Sequence, residues 1–279
     1  ESPSDTTPII LGPLELRAAC RHALTNGGKR VRPLLVFASA HACEPAGEAL
    51  ALESLSCALE LIHTYSLIHD DLPAMDDDDM RRGKPSLHKA YDEATAILVG
   101  DGLQARAFEL VADAPGLGAE QKILMIKVLA QASGMDGMVG GQYLDIQAVD
   151  SDMTLDQLQS MHRMKTGALI RASLALGGIA ANATQEQLSA LDEYGDHIGL
   201  AFQVVDDILD VEGTTESLGK TQGKDAEANK PTYVKLLGLS GAKAEAQRLL
   251  SAALEALEAF GDSADRLRDL ARYIVERDR

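Results

Sequence analysis

An apolar run that ends in a cluster of carboxylates constrains most of what this chain can become. Between Ala46 and His69, Leu52, Leu55, Ala58, Leu59, Ile62 and Leu67 recur at helical spacing. The run leads into Ile68-His69-Asp70-Asp71-Leu72-Pro73-Ala74-Met75-Asp76-Asp77-Asp78-Asp79-Met80-Arg81-Arg82-Gly83-Lys84-Pro85, which carries six carboxylates, two guanidiniums and one ammonium. So much negative charge persists in one place only if water solvates it or cations neutralise it. Aspartates without a thiol or imidazole cluster suit a hard, oxygen-seeking ion, Mg²⁺ before Zn²⁺. Arginines directly behind them suit an anionic partner, because planar guanidiniums bind phosphate oxygens in pairs. An acidic loop that is merely solvated is the plain alternative.

A second acidic element, Phe202-Gln203-Val204-Val205-Asp206-Asp207-Ile208-Leu209-Asp210, weakens that alternative. Asp206 and Asp210 stand about 40° apart on a helix and share a face. Their repulsion inside an apolar run costs stability unless a cation sits between them. The first segment sets a geometric condition of its own. Asp70 and Asp76 are six residues apart, about 240° round an ideal helix. They meet at one ion only if Leu72 to Met75 leaves the helix as a bulge or loop. Pro73 favours that break, since it removes a backbone donor and disfavours helix at Leu72.

The rest of the chain reads as helix. At 279 residues, with 46% hydrophobic content, no Trp and 4% aromatics, packing falls to Ala, Leu, Ile, Val and Met. Helical periodicity covers Leu14–Leu24, Leu34–Cys43, Tyr91–Val111, Glu120–Met135, Leu155–Leu176, Glu186–Val211, Tyr233–Leu239, Ala242–Phe260 and Ala264–Arg277. No strand-rich region and no repeat stands out. Residues 1–13 form a loose N-terminal segment and 14–279 one all-α domain, a helical bundle around a central cavity. A net charge of −17 argues against nucleic acid and anionic membrane surfaces, and no apolar stretch is long enough to insert stably in a membrane. Cys20, Cys43 and Cys57 lack metal-ligand spacing and pair into no framework. The expectation is a reduced, soluble, cytoplasmic protein.

Four stretches remain to be placed. Lys29, Arg30 and Arg32 follow the Gly27-Gly28 turn, where exposed backbone N–H groups would add to an anion site. Gly140-Gly141-Gln142 marks a kink or a close helix approach, with Gln142 and Asp145 supporting the site. Lys165-Thr166-Gly167 interrupts a helix with glycine, which is either a broken turn with freed carbonyls or an ordinary tolerated residue. Gly213 to Lys230 is a polar segment and the best lid in the chain.

Two aspartate segments after apolar helices, Arg81-Arg82 behind the first and Gly28-Lys29-Arg30 near the start closely resemble the trans-isoprenyl diphosphate synthases, also called polyprenyl synthetases. The likeness runs from about Asn26 to the C-terminus, with the motifs in family order, and is nearest to the bacterial members that make farnesyl diphosphate. It implies the isoprenoid synthase fold, a homodimer, and Mg²⁺, three ions by family habit, on Asp70, Asp71, Asp76, Asp206 and Asp210. It implies head-to-tail condensation of an allylic diphosphate with the homoallylic isopentenyl diphosphate. Arg81, Lys165, Lys220 and Lys230 would serve the allylic diphosphate, and Lys29, Arg32, His63 and Arg82 the isopentenyl one. Thr166 and Gln203 would face the carbocation. Tyr65, with small Ser66 beside it, would set product length, fifteen carbons before twenty. A non-catalytic subunit of a heteromeric synthase and a terpene cyclase are the alternatives. The regular loop of an EF-hand is absent.

Overall fold

The computed structural model describes residues 12–43, 49–149, 151–212 and 230–277. The N-terminal segment up to Leu11 and the expected lid from Gly213 to Asn229, with Lys220, lie outside them. The helical periods of the sequence become α1 (Leu14–Leu24), α2 (Val31–Cys43), α3 (Ala49–Asp70), α4 (Leu87–Ala90), α5 (Glu93–Ala112), α6 (Ala119–Ser133), α7 (Met138–Gln147), α8 (Leu155–His162), α9 (Ala168–Ala180), α10 (Gln185–Glu212), α11 (Tyr233–Ala256) and α12 (Asp265–Glu276). A π-helix at Arg163–Gly167 joins α8 to α9, and a 3-10 helix at Glu258–Ala264 joins α11 to α12. No helix of the described residues is long and apolar enough to cross a membrane.

Several boundaries differ from those read in the sequence. α2 begins at Val31 rather than Leu34 because Pro33 falls in its first turn, where a missing N–H costs no hydrogen bond. α11 absorbs two expected helices and breaks at Gly238, near the end of the first rather than between them, where a φ of 71° suits glycine alone. Residues 258–264 tighten into 3-10 geometry in place of the last turn expected to end at Phe260. The short antiparallel hairpin β1 (Met80–Arg81) and β2 (Lys84–Pro85) was not anticipated.

The described residues fall into two compact units. The larger comprises residues 30–60 and 107–277. In it α2, α9, α10, α11 and α12 share an apolar core of Leu35, Ile170, Leu174, Tyr194, Leu257 and Leu267. Tyr194 is fully buried and donates its hydroxyl to the Leu267 carbonyl at 2.7 Å, so the large ring carries no unsatisfied polar atom. A second cluster, including Leu158, Met161, Leu200, Val204 and Leu249, packs α8, α10 and α11. The smaller unit comprises residues up to 29 and 61–106: α1, the end of α3, the hairpin, α4 and most of α5. His69 ties α3 to α5 through the Ile97 carbonyl at 3.2 Å, and His22 ties α1 to the hairpin through the Pro85 carbonyl at 2.9 Å. The three cysteines are unbridged, and burial raises the Cys43 thiol to about 11.

Candidate active site

The first aspartate segment meets the geometric condition that its spacing set. α3 stops at Asp70. The chain then turns through Leu72 N–H to His69 C=O at 3.2 Å and Met75 N–H to Leu72 C=O at 2.8 Å. Buried Leu72 anchors the turn while Pro73 points to solvent. The turn closes with the Asp76 N–H donating to the Asp70 carbonyl at 2.9 Å and Asp78 N–H to the Asp71 carbonyl at 3.2 Å. The backbones of Asp70 and Asp76 are therefore neighbours, with both side chains half-buried. Asp71 is placed differently. It is buried, and Arg81 holds it through Nη2 and through Nε at 3.0 and 3.3 Å from its two oxygens. Asp71 thus already spends lone pairs on fixing Arg81.

The two arginines diverge because they occupy different positions of one hairpin. Arg81 pairs with Lys84 in the ladder, so Arg82 and Gly83 are the two-residue loop, with φ of 53° and 77°. Positive φ at both positions gives the turn whose twist matches paired strands. It throws Arg82 away from Asp71 towards α1 and α3. There its Nη1 donates to the Gly27 carbonyl at 2.6 Å, and Nη2 lies 3.5 Å from His63 Nε2. Gly28 makes this possible: its φ is 111°, and a Cβ there would stand 2.3 Å from Arg82 Nη1. His63, Arg82 and the turn before Lys29 are thus brought together. Lys29 is exposed, and Arg32 is half-buried on α2 in the other unit.

In the larger unit the glycine-marked interruption is a π-helix, which resolves the alternatives left open for Lys165-Thr166-Gly167. π-Turns inside α-helices are uncommon and gather at functional sites. α7 packs directly on it. A Cβ at Gly141 would lie 2.1 Å from the Lys165 backbone nitrogen, so Gly140-Gly141 marks a close helix approach. From the turn, Lys165 Nζ donates to Asp145 Oδ2 at 2.7 Å, and Lys230 Nζ donates to the same oxygen at 3.2 Å. Burial alone would raise the Asp145 carboxyl, but the two ammoniums outweigh it and hold it below the ordinary carboxylate range. Thr166 donates its hydroxyl to Gln203 Oε1 at 2.6 Å. His162, one turn before, is buried and its pKa falls to about 4, chiefly by desolvation, so it is neutral.

Gly141→Ala tests this packing. Alanine gains about 1 kcal/mol in helix propensity, but the clash is with backbone, which cannot swing aside, and overpacking costs about 1–3 kcal/mol. The expected result is a lower melting temperature with weaker binding of the ligand that Lys165 serves. An unchanged melt with unchanged kinetics would show that α7 slides freely.

The second aspartate segment divides its labour. Asp207 Oδ2 accepts the Tyr233 N–H at 2.7 Å and so caps α11. Asp206 and Asp210 lie on the remaining face, Asp210 buried and Asp206 half-exposed. Arg277 was missed. Its side chain is 2% exposed, donates to Asp206 Oδ1 at 2.7 Å and to the Phe202 carbonyl at 3.0 Å, and lies 4.0 Å over the Phe202 ring. A basic residue ending the expected last helix is the one sequence signal it carried. Of the product-length pair, Tyr65 is buried, 5.3 Å edge-on to His69, while Ser66 bonds back to the His63 carbonyl at 2.8 Å.

A helical protein with carboxylates gathered after α3 and along α10, and with lysines and arginines held in place by buried acids, has the features of an enzyme for metal-bound phosphate esters. The polyprenyl synthetase family model matches residues 13–270, and the chain belongs to that family. It is 48% identical to a farnesyl diphosphate synthase of Haemophilus influenzae over 94% of this chain and 88% of that protein. The geranyltransferase crystal structure from Legionella pneumophila matches at a TM-score of 0.85 with 41% identity, covering 96% of this chain and 89% of that one. The Helicobacter pylori geranyltransferase, complexed with magnesium and isoprenyl diphosphate, matches at 0.85 with 36% identity over 96% and 89% of the two chains.

Proposed function

We infer that this chain is a prenyltransferase that condenses dimethylallyl and then geranyl diphosphate with isopentenyl diphosphate, head to tail, releasing farnesyl diphosphate and diphosphate. The observation that carries this reading is the near-full-length identity of 48% to an enzyme of that activity. Residues 14–279 act as one catalytic domain.

The donor set fits Mg²⁺: Asp70 and Asp76, their backbones closed by a hydrogen bond, and Asp206 with Asp210, all offering oxygen and none sulfur or imidazole. Held by these carboxylates, Mg²⁺ would supply positive charge to offset that of the departing diphosphate at the allylic C–O bond. Arg81, held by Asp71, and Lys165 and Lys230, held by Asp145, present fixed positive charge to that leaving group; Lys220 is assigned the same role by family likeness. Lys29, Arg32, His63 and Arg82 hold the isopentenyl diphosphate so that its double bond meets the cation. The Thr166 hydroxyl spends its proton on Gln203, which leaves the oxygen lone pairs for the cationic carbon. Among the described residues no side chain is assigned as a general base, and the departed diphosphate takes the proton.

Incubation of the purified chain with dimethylallyl and isopentenyl diphosphates and Mg²⁺ tests the reading. Farnesol is expected after dephosphorylation. No turnover would make the chain a non-catalytic partner, and turnover without isopentenyl diphosphate would make it a cyclase.

The two arginines give a sharper test. Arg81→Lys and Arg82→Lys keep the charge but lose the fork, at about tenfold or more in affinity for each bidentate contact. Arg81→Lys is expected to raise KM for the allylic diphosphate and Arg82→Lys that for isopentenyl diphosphate. Equal effects on both constants would refute the division. The chain is also proposed to work as a homodimer. Ile123, Leu124, Met135, Val139 and Tyr143 expose apolar surface on and beside α6 and α7, as a contact between copies requires. Light scattering showing a monomer at micromolar concentration would overturn that.

A further inference from the structure

The hairpin that carries Arg81 and Arg82 has a third set of ligand atoms at its base. Asp77 and Asp79 lead into β1, and His88 lies in α4 just beyond β2. A ring nitrogen of His88 and one carboxylate oxygen from each aspartate all lie within 4.8 Å of one another. Ligand atoms about 2.0–2.2 Å from a shared ion stand about 3–4 Å apart, so the exposed aspartates need only a small inward swing.

His88 is an independent sign that something belongs there. It is 7% exposed, and its Nε2 is buried with no hydrogen-bond partner among the described residues. Its Nδ1 lies 3.2 Å from the Ser86 hydroxyl. The Ser86 hydroxyl can accept the Nδ1 proton, and in that tautomer Nε2 keeps its lone pair, as in ligating histidines whose other ring nitrogen donates to a partner. Asp79 gives one oxygen to Lys89 at 2.8 Å and keeps a second.

We propose that Asp77, Asp79 and His88 form a site for a borderline divalent transition ion, with Zn²⁺ favoured over Mg²⁺, distinct from the ions on Asp70 and Asp76. An imidazole beside two carboxylates is a mixed nitrogen and oxygen set, which ranks Zn²⁺ above Mg²⁺. The ion ties the approach to β1 to the exit from β2 and so clamps the base of the turn that aims the two arginines.

Calorimetric titration of Zn²⁺ into the untagged full chain tests the site. An Asp70→Asn/Asp206→Asn background in millimolar Mg²⁺ removes the other carboxylate sites from the measurement. One Zn²⁺ per chain is expected. Adding Asp77→Asn and Asp79→Asn should weaken binding by at least about tenfold without altering the metal-free melt, because both side chains are exposed. His88→Gln should weaken it similarly. Absence of Zn²⁺ uptake, or uptake that Asp77→Asn/Asp79→Asn leaves unchanged, would overturn the proposal.

Discussion

Asp70→Ala and Asp206→Ala are each expected to lower kcat by on the order of 10³-fold while leaving the fold intact. Stabilising the leaving group is usually the largest single catalytic contribution, and losing one preorganised donor already costs about 10²–10³. A carboxylate that holds a divalent ion should cost at least as much. The fold should survive because neither side chain is in the core. Asp70 is half-buried at the end of α3, and the Asp206 side chain is 42% exposed. Losing Asp206 does remove a partner from Arg277, but that guanidinium keeps the Phe202 carbonyl and ring.

Asp207→Ala supplies the contrast. Asp207 is buried and caps α11 through the Tyr233 N–H, so its loss should cost about 1–3 kcal/mol of stability. Its effect on kcat at temperatures where the variant is folded should be far smaller. Steady-state rates at saturating Mg²⁺ beside thermal melts separate the two outcomes. Near-normal turnover in either Asp70→Ala or Asp206→Ala would remove the metal role from that segment.

The sequence was legible where one local rule decides the structure. Apolar spacing located the helices, and the 240° separation of Asp70 and Asp76 with Pro73 between them required the loop that the chain forms. Gly167 amid helix-spaced residues left a broken turn and an ordinary tolerated glycine both open, and the chain forms a π-turn there. What stayed hidden depends on partners distant in sequence. Arg277 reaches Asp206 across 71 residues, and Lys230 reaches Asp145 across 85. No pattern in either neighbourhood names the other. The Arg82-Gly83 hairpin failed for another reason: a two-residue loop of this kind is signalled by Asn-Gly or Asp-Gly, and arginine at a positive φ carries no such signal.

Tyr65→Ala is expected to change what the enzyme makes, shifting the main product from fifteen to twenty carbons or more. Tyr65 precedes Asp70 by five residues on α3, about 7.5 Å back along the axis from the proposed metal end. A tail growing away from the diphosphate therefore runs along α3 towards it. The ring is fixed on several sides. It stands edge-on to His69 at 5.3 Å, and its hydroxyl, raised by burial, bonds to Gln104 on α5. His69 in turn fills the space over Gly100, where a Cβ would stand 2.2 Å from its Nε2. Tyr65 is thus braced by two helices and cannot fold away from an advancing chain as a single exposed aromatic could. Removing the ring loses about 3–5 kcal/mol of packing if nothing refills the space. A longer prenyl tail is itself an apolar filler, so the variant should gain stability when the long product binds. Ser66 should matter little, since its small side chain is turned back onto the His63 carbonyl. Chromatography of the dephosphorylated products, with Ser66→Ala as the control, is the measurement. A folded, active Tyr65→Ala enzyme that still stops at fifteen carbons would move the floor of the cavity away from Tyr65.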